Sequence, residues 1–284
     1  MSNIKFYMMS VVRNNFVKIS RFFIVFALSI YSFGQNVGNE KLKAMLIVGY
    51  QEDGTQKAID KIEAISQLFE ENGIEVFEFY NEKANWEEIV KVAPECSFMV
   101  YCGHGSNLGE NGNAGGLVIN SFVSTEEIQN QLRLKDNAIV IFQSVCNGAG
   151  SSADDDGDIG AIEAKNRVYN YAYPFFEIGA AVYYANNYDG GCKSFLKYFL
   201  EGETVKSCFE KSIYHFNTVE FDESFDGFFG KKISVASSIP MGKTTRTTYI
   251  NGVKKVEQIP SSKSYDIAFA GSPEVLISSL LTNK

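Results

Sequence analysis

Positive charge is in short supply in this chain. Against 34 Asp and Glu stand 26 Lys and Arg, a net charge of −8. No basic field is available to neutralise phosphates, so a nucleic-acid partner is excluded. Proline is scarce at 5 while glycine is plentiful at 24. That excludes a disordered or fibrous chain and suits tight turns between strands and loops. No Cys-x-x-Cys pair is present and there are only 2 histidines, so a zinc site lacks its ligand set. No Gly-x-Ser-x-Gly elbow occurs, which removes an α/β-hydrolase. Met241-Gly242-Lys243-Thr244 imitates the end of a P-loop, but position 237 is Ser where the motif needs Gly. Internal repeats and heptads are missing as well.

What is present begins with a charged, then apolar, then small-residue segment. Lys5, Arg13, Lys18 and Arg21 precede Phe22–Tyr31 and Ser32-Phe33-Gly34-Gln35, with no acidic residue before Glu40. The pattern predicts a secretory signal over residues 1–34, cleaved near Gly34, and therefore an exported protein, periplasmic or extracellular. Its apolar run is shorter than the roughly 20 residues of a spanning helix, so no membrane span is expected in the mature chain. Residues 35–43 then read as a linker and 44–284 as one domain.

Within that domain, Ala44–Tyr50 is a continuous apolar run, a strand buried on both faces. Ala58, Ile62, Ile65 and Phe69 mark one face of a helix, closed by Gly73. Ile74–Phe79 alternates like a strand nearer an edge. A short helix around Trp86–Val90 leads to the strand that begins at Phe98 and ends by presenting His104. Strand–helix–strand alternation of this kind predicts an α/β fold with a parallel sheet. The polar stretch Gly105–Val123 is expected to be a loop or hairpin over the sheet's edge. Ser124-Thr125-Glu126-Glu127 opens a capped helix, and Asn137 starts the strand that carries Cys146.

A second long loop, Asn147–Lys165, precedes a helix over Tyr169–Ile178 and a buried strand over Ala180–Asn186. Helices follow at Ser194–Leu200 and Val205–Phe216, with His215 read as structural. The polar, β-branched segment Glu220–Pro260 reads as an insertion holding a hairpin turned at Asn251-Gly252. A last strand at Tyr265–Ala270 and a helix at Pro273–Leu281 close the chain.

Two strand ends carry the chemistry. Tyr101-Cys102-Gly103-His104-Gly105 ends one strand, and Ser144-Val145-Cys146-Asn147-Gly148 ends the next. In open α/β sheets functional groups gather beyond the carboxyl ends of the strands. A thiolate there can attack a carbonyl while an imidazole protonates the leaving amine. The N–H groups of Gly105 and Cys146 are the expected oxyanion donors, and the neighbouring glycines are expected to let a substrate backbone approach.

These blocks resemble the two signature blocks of the caspase-like cysteine peptidases, the superfamily of caspases, metacaspases, legumain, clostripain, gingipains and CHAT domains. The resemblance covers about Ala44–Leu281, apart from Glu220–Pro260. It implies a His104–Cys146 dyad on a three-layer αβα sandwich with a mostly parallel six-stranded sheet, acting on protein or peptide substrates. Ile267–Glu274 is similar to the strand-then-Gly-Asp-Pro element that closes gingipain-like and CHAT domains, with Ser272 in place of the Asp. Metacaspases carry an Asp two residues before the cysteine, where this chain has Ser144. The pocket's charge is therefore expected from Asp154 and Asp156 in the following loop, favouring Arg or Lys before the cut bond.

Three alternatives accompany this reading. The same fold without turnover would be a protein-binding module that uses the two long loops. The Asp154–Asp158 run has the alternating carboxylates of a calcium loop, although a solvated acidic loop is the preferred reading. An exported chain also permits a Cys192–Cys208 disulfide, which sequence cannot establish. No other cofactor is expected.

Overall fold

Lys43–Val48 (β1) shows why the sheet must be covered twice. Ala44, Leu46 and Val48 enter one core, Met45 and Ile47 enter another, and all five are fully buried. A strand with no polar face needs a layer on each side of its sheet. The computed structural model describes residues 41–106, 114–214, 219–221, 226–228, 230–238, 243–250, 253–260 and 262–281. The N-terminal segment read as a signal, His215 and the Asn251-Gly252 turn lie outside the described residues.

The strands after β1 are Glu75–Tyr80 (β2), Phe98–Cys102 (β3), a ribbon of Leu117–Val118 (β4) with Phe122–Val123 (β5), Ala138–Gln143 (β6) and Ala180–Asn186 (β7). Later come Val219–Phe221 (β8), Asp226–Phe228 (β9), Lys231–Ser238 (β10), Lys243–Ile250 (β11), Val253–Pro260 (β12) and Tyr265–Gly271 (β13). The main sheet runs β2-β1-β3-β6-β7-β13-β10-β8, with β9 also on β10. Its first five strands are parallel. β13 lies antiparallel to both β7 and β10. β2 is the edge strand its alternating sequence predicts.

The expected six strands are a correction. Of the nine in the sheet, β8 and β9 have three residues each, which leaves seven of greater length. The seventh, β10, comes from the segment expected to be an insertion. Ser234 and Ser237 are buried among Ile233, Val235 and Ala236, so no apolar run announces the strand. Beyond it, β11 and β12 pair from Lys243↔Pro260 to Ile250↔Val253 as the expected hairpin.

Helices cover both faces. Thr55–Glu71 (α1) packs Ala58, Ile62, Ile65 and Phe69 onto one core. On the other lie Trp86–Val92 (α2), Thr125–Gln131 (α3) and Gly160–Glu177 (α4), through Ile89, Ile128, Val168 and Phe175. Gly191–Leu200 (α5) and Val205–Tyr214 (α6) return to the first core through Phe195, Phe199 and Phe209. The result is a mixed α/β fold with a mostly parallel sheet between two helical layers. α3 carries the predicted capping box, Ser124 and Glu127 each satisfying the other's backbone N–H. Among the described residues no helix is long and apolar enough to cross a membrane.

Two helical boundaries differ from expectation. α4 begins at Gly160 rather than Tyr169, inside the expected loop, because Ile162 is exposed and breaks the apolar periodicity. Its start also lacks a side-chain cap that would announce it. The closing helix over Pro273–Leu281 reduces to one 3₁₀ turn, Ile277–Leu280. The Pro273 and Val275 carbonyls, which a helix would bond internally, instead accept the first N–H groups of α6, from Lys206 at 2.9 Å and Val205 at 3.0 Å.

The chain leaves β1 toward α1 on one face and leaves β3 toward α3 on the other. The carboxyl ends of β1 and β3 therefore flank the topological switch point, where open α/β sheets form their crevice.

Candidate functional site

His104 is held by a buried phenol. Tyr101 is fully buried, and its ring folds back beneath the next turn. A Cβ on Gly103 would come within 2.2 Å of the Tyr101 hydroxyl. That hydroxyl accepts from the Val118 N–H at 3.0 Å and lies 2.9 Å from the His104 carbonyl and 2.8 Å from the Val118 carbonyl. Burial pushes the phenol's pKa well up, which keeps its proton available for donation. His104 also pairs with Val118 as an isolated antiparallel bridge. The backbone of His104 is thus fixed from two sides while its side chain is exposed. Among the described residues no carboxylate engages the imidazole, so the third member of a triad is not supplied by them.

Cys146 sits in a turn that stores backbone strain. Ser144 and Asn147, on either side of it, hold φ angles of 55° and 65°. Such left-handed conformations cost a non-glycine residue of order 1 kcal/mol or more. Several hydrogen bonds hold the turn there. The Ser144 N–H reaches the Asn186 carbonyl at 3.0 Å, and the Asn147 N–H reaches the Ser151 carbonyl at 2.9 Å. The buried Gln143 amide donates to Ser144 Oγ at 2.9 Å and to the Asn186 carbonyl at 3.1 Å. Arg167 on α4 donates to Asn147 Oδ1 at 2.9 Å, to the Gly150 carbonyl at 3.2 Å and to Asp155 at 2.8 Å. Cys146 itself is half-buried, and no described residue accepts its N–H.

The two turns meet. β3 and β6 are neighbours in parallel register, with Tyr101 opposite Phe142. His104 and Cys146 follow three and four residues past that pair. A Cβ on Gly105 would come within 1.8 Å of the Cys146 carbonyl oxygen. The Tyr171 hydroxyl, from α4, accepts from the Ser106 N–H at 2.7 Å and lies 3.4 Å from the same Cys146 carbonyl. The glycines around His104 therefore answer to packing within the protein. Gly103 makes room for Tyr101 and Gly105 makes room for Cys146, which is a different reason from the substrate approach expected of them.

The other predicted site residues are Ser144, in the same turn as Cys146, and Asp154 and Asp156, in the loop that follows it. Ser144 Oγ accepts from Lys61 Nζ at 3.1 Å, and Lys61 pairs with Asp189 at 2.6 Å. The hydrogen bond from Lys61 holds the Asp189 carboxyl below its usual range. Asp154 and Asp156 are exposed, while the half-buried Asp155 between them is bound to Arg167. For calcium, the run offers less than its sequence promises, since Asp155 is taken by Arg167 and Asp158 accepts the Gly160 N–H at 2.8 Å. A cavity of about 410 Å³ beside His104 counts the exposed residues Glu52 and Glu82 in its lining.

All five cysteines are free thiols, so Cys192 and Cys208 are not joined. Burial pushes Cys96 and Cys208 up to about 12, Cys102 to about 11, and Cys192 well above the ordinary range. Those four are buried; Cys146 is the one thiol with partial access to solvent. Tyr101, Tyr171, Arg167 and the two glutamates went unnoticed in the sequence. Tyr101 is local to His104 but reads as one more apolar strand residue, while the others reach the site across the fold, where no local spacing marks them.

Neither a known protein family nor a curated protein matches this chain.

Proposed function

We propose that this protein is an exported caspase-like cysteine endopeptidase working through His104 and Cys146. The observation that carries the reading is the backbone contact between Gly105 and Cys146, which seats the two turns side by side at the carboxyl edge of adjacent parallel strands. The Cys146 thiolate attacks the peptide carbonyl, forming a C–S bond. As the C–N bond breaks, His104 gives its proton to the leaving amine. Water then attacks the thioester with His104 as base, releasing the acid and restoring the thiol. The Cys146 N–H, free of acceptors among the described residues, is the first oxyanion donor, with the Gly105 N–H as the second.

Arg or Lys is the residue proposed before the cut bond, received by Asp154 and Asp156. Export rests on the charged and apolar N-terminal segment. The test is a peptidyl probe with a thiol-directed warhead. It should label Cys146 in the wild type, and His104→Ala should slow the labelling. A probe that leaves Cys146 untouched while the protein still binds peptides identifies a binding module on the same fold.

A further inference from the structure

The cavity beside His104 lies on the opposite side of that residue from Cys146. Its walls include Tyr50 and Glu52 past the end of β1, Asn81 and Glu82 past the end of β2, and His104 past the end of β3. β1 and β2 flank β3 on one side and β6, with Cys146, flanks it on the other. Cys146, His104 and the cavity therefore follow one another along the carboxyl edge of the sheet, at its switch point.

The cavity is preformed. Its lining includes Val118, whose carbonyl presses so closely on Gly49 that a Cβ there would come within 2.1 Å. Asn120 Nδ2 donates to the Glu82 carbonyl at 3.3 Å and the Ala84 carbonyl at 3.2 Å, joining two segments of the lining. About 410 Å³ lies within the range of ligand pockets, about 300–1,000 Å³. Among the described residues no Lys or Arg pairs with Glu52 or Glu82, so the cavity keeps two exposed carboxylates. Tyr50, 52% exposed, adds an aromatic ring to the same lining. Carboxylates together with an aromatic face recognise a cation on an aliphatic stem.

Direction along the substrate follows from the division of labour in the dyad. The half of the substrate that stays on Cys146 lies on the β6 side, and the leaving amine lies over His104. The peptide beyond the cut bond then runs toward β1 and β2. We infer that this cavity is a subsite for a Lys or Arg side chain one or two residues after the cut bond. The inference rests on the peptidase reading for its direction, and on the cavity alone for its choice of a basic side chain.

The test compares peptides that differ only in Lys or norleucine at each position after the cut. Lys at the first or second position should raise kcat/KM by about tenfold, the effect of roughly one charge pair near a protein surface. In the double variant Glu52→Gln/Glu82→Gln the ratio should fall to within about twofold of one. A ratio that is near one in the wild type, or that the double variant leaves unchanged, overturns the subsite. A second arm measures fluorescence anisotropy of the same labelled peptides on Cys146→Ala, and therefore does not depend on turnover. Lys peptides binding more tightly than norleucine peptides, with the difference lost when Glu52→Gln/Glu82→Gln is added, supports a basic-side-chain site even if hydrolysis is never seen. Equal binding of the two peptides overturns it. Failure of hydrolysis with charge-selective binding would remove the peptidase reading and leave the cavity's selectivity standing.

Discussion

Gly105 and Cys146 are packed backbone against backbone. A Cβ at position 105 would stand 1.8 Å from the carbonyl oxygen of Cys146 and 3.0 Å from the Tyr171 hydroxyl. No flexible side chain stands at the closest approach to yield, because the nearest atom belongs to the turn that carries the thiol. The geometry of the nucleophile's turn is therefore tied to the residue next to the imidazole.

Gly105→Ala should push the two turns apart. Overpacking against backbone costs typically about 1–3 kcal/mol. Misplacing reacting groups by an ångström can cost about 10²-fold in rate. The expected outcome is a lower melting temperature together with a fall in kcat/KM of at least about tenfold. Gly227→Ala, where nothing lies within 4 Å of the added Cβ, is the control. Equal activity of the two variants would mean that the contact does not set the site.

Tyr171→Phe should act on position rather than on chemistry. The Ser106 N–H loses its acceptor, and the His104 and Cys146 turns lose the hydroxyl between them. Losing a buried hydrogen bond costs about 1–3 kcal/mol. If Tyr171 positions the turns, kcat should fall more than KM rises, and the alkylation rate of Cys146 should change with it. A lower melting temperature with both readouts unmoved would reduce Tyr171 to core packing.

Alkaline pH should destabilise the fold through the buried thiols. An unfolded cysteine titrates near ~8.5, whereas burial holds Cys102 up at about 11 and Cys96 and Cys208 at about 12. Between those values the unfolded chain has released protons that the folded one still binds, so stability falls as pH rises. The contribution is whole below about pH 8.5 and is lost as the pH climbs through about 11 to 12. Thermal melts from about pH 7 to pH 11 should show a flat region and then a decline. A melting temperature that rises across the upper part of that range would contradict the burial of these thiols.

Local patterns carried most of the fold into view. The apolar run at Ala44–Val48, the stripe Ala58, Ile62, Ile65 and Phe69, and the Ser124–Glu127 box each satisfy a rule that acts over a few residues. What escaped is tertiary. β10 hides because Ser234 and Ser237 are buried beside small apolar neighbours. The closing helix fails because the carbonyls of Pro273 and Val275 are taken by α6. In the site, His104 and Cys146 stood out as the ends of successive strands, and the sheet brings those ends together. The acidic residues near the imidazole did not stand out. Glu52 and Glu82 follow different strands and share a cavity only through the crossover order of β2, β1 and β3. Asp154 and Asp156, expected in the pocket before the cut bond, are exposed on either side of Asp155, which is bound to Arg167.

The most direct test of the proposed dyad is hydrolysis of a peptide library by Cys146→Ala, His104→Ala and the double variant, with melting temperatures measured alongside. The imidazole is exposed and the thiol half-buried in a turn, so neither single change should unfold the domain. Each should lower kcat/KM by at least about 10²-fold, and the double variant should be little worse than either single, because the two groups act as one unit. Unchanged hydrolysis in Cys146→Ala, together with a clear drop in its melting temperature, would make Cys146 a packing residue and contradict the account.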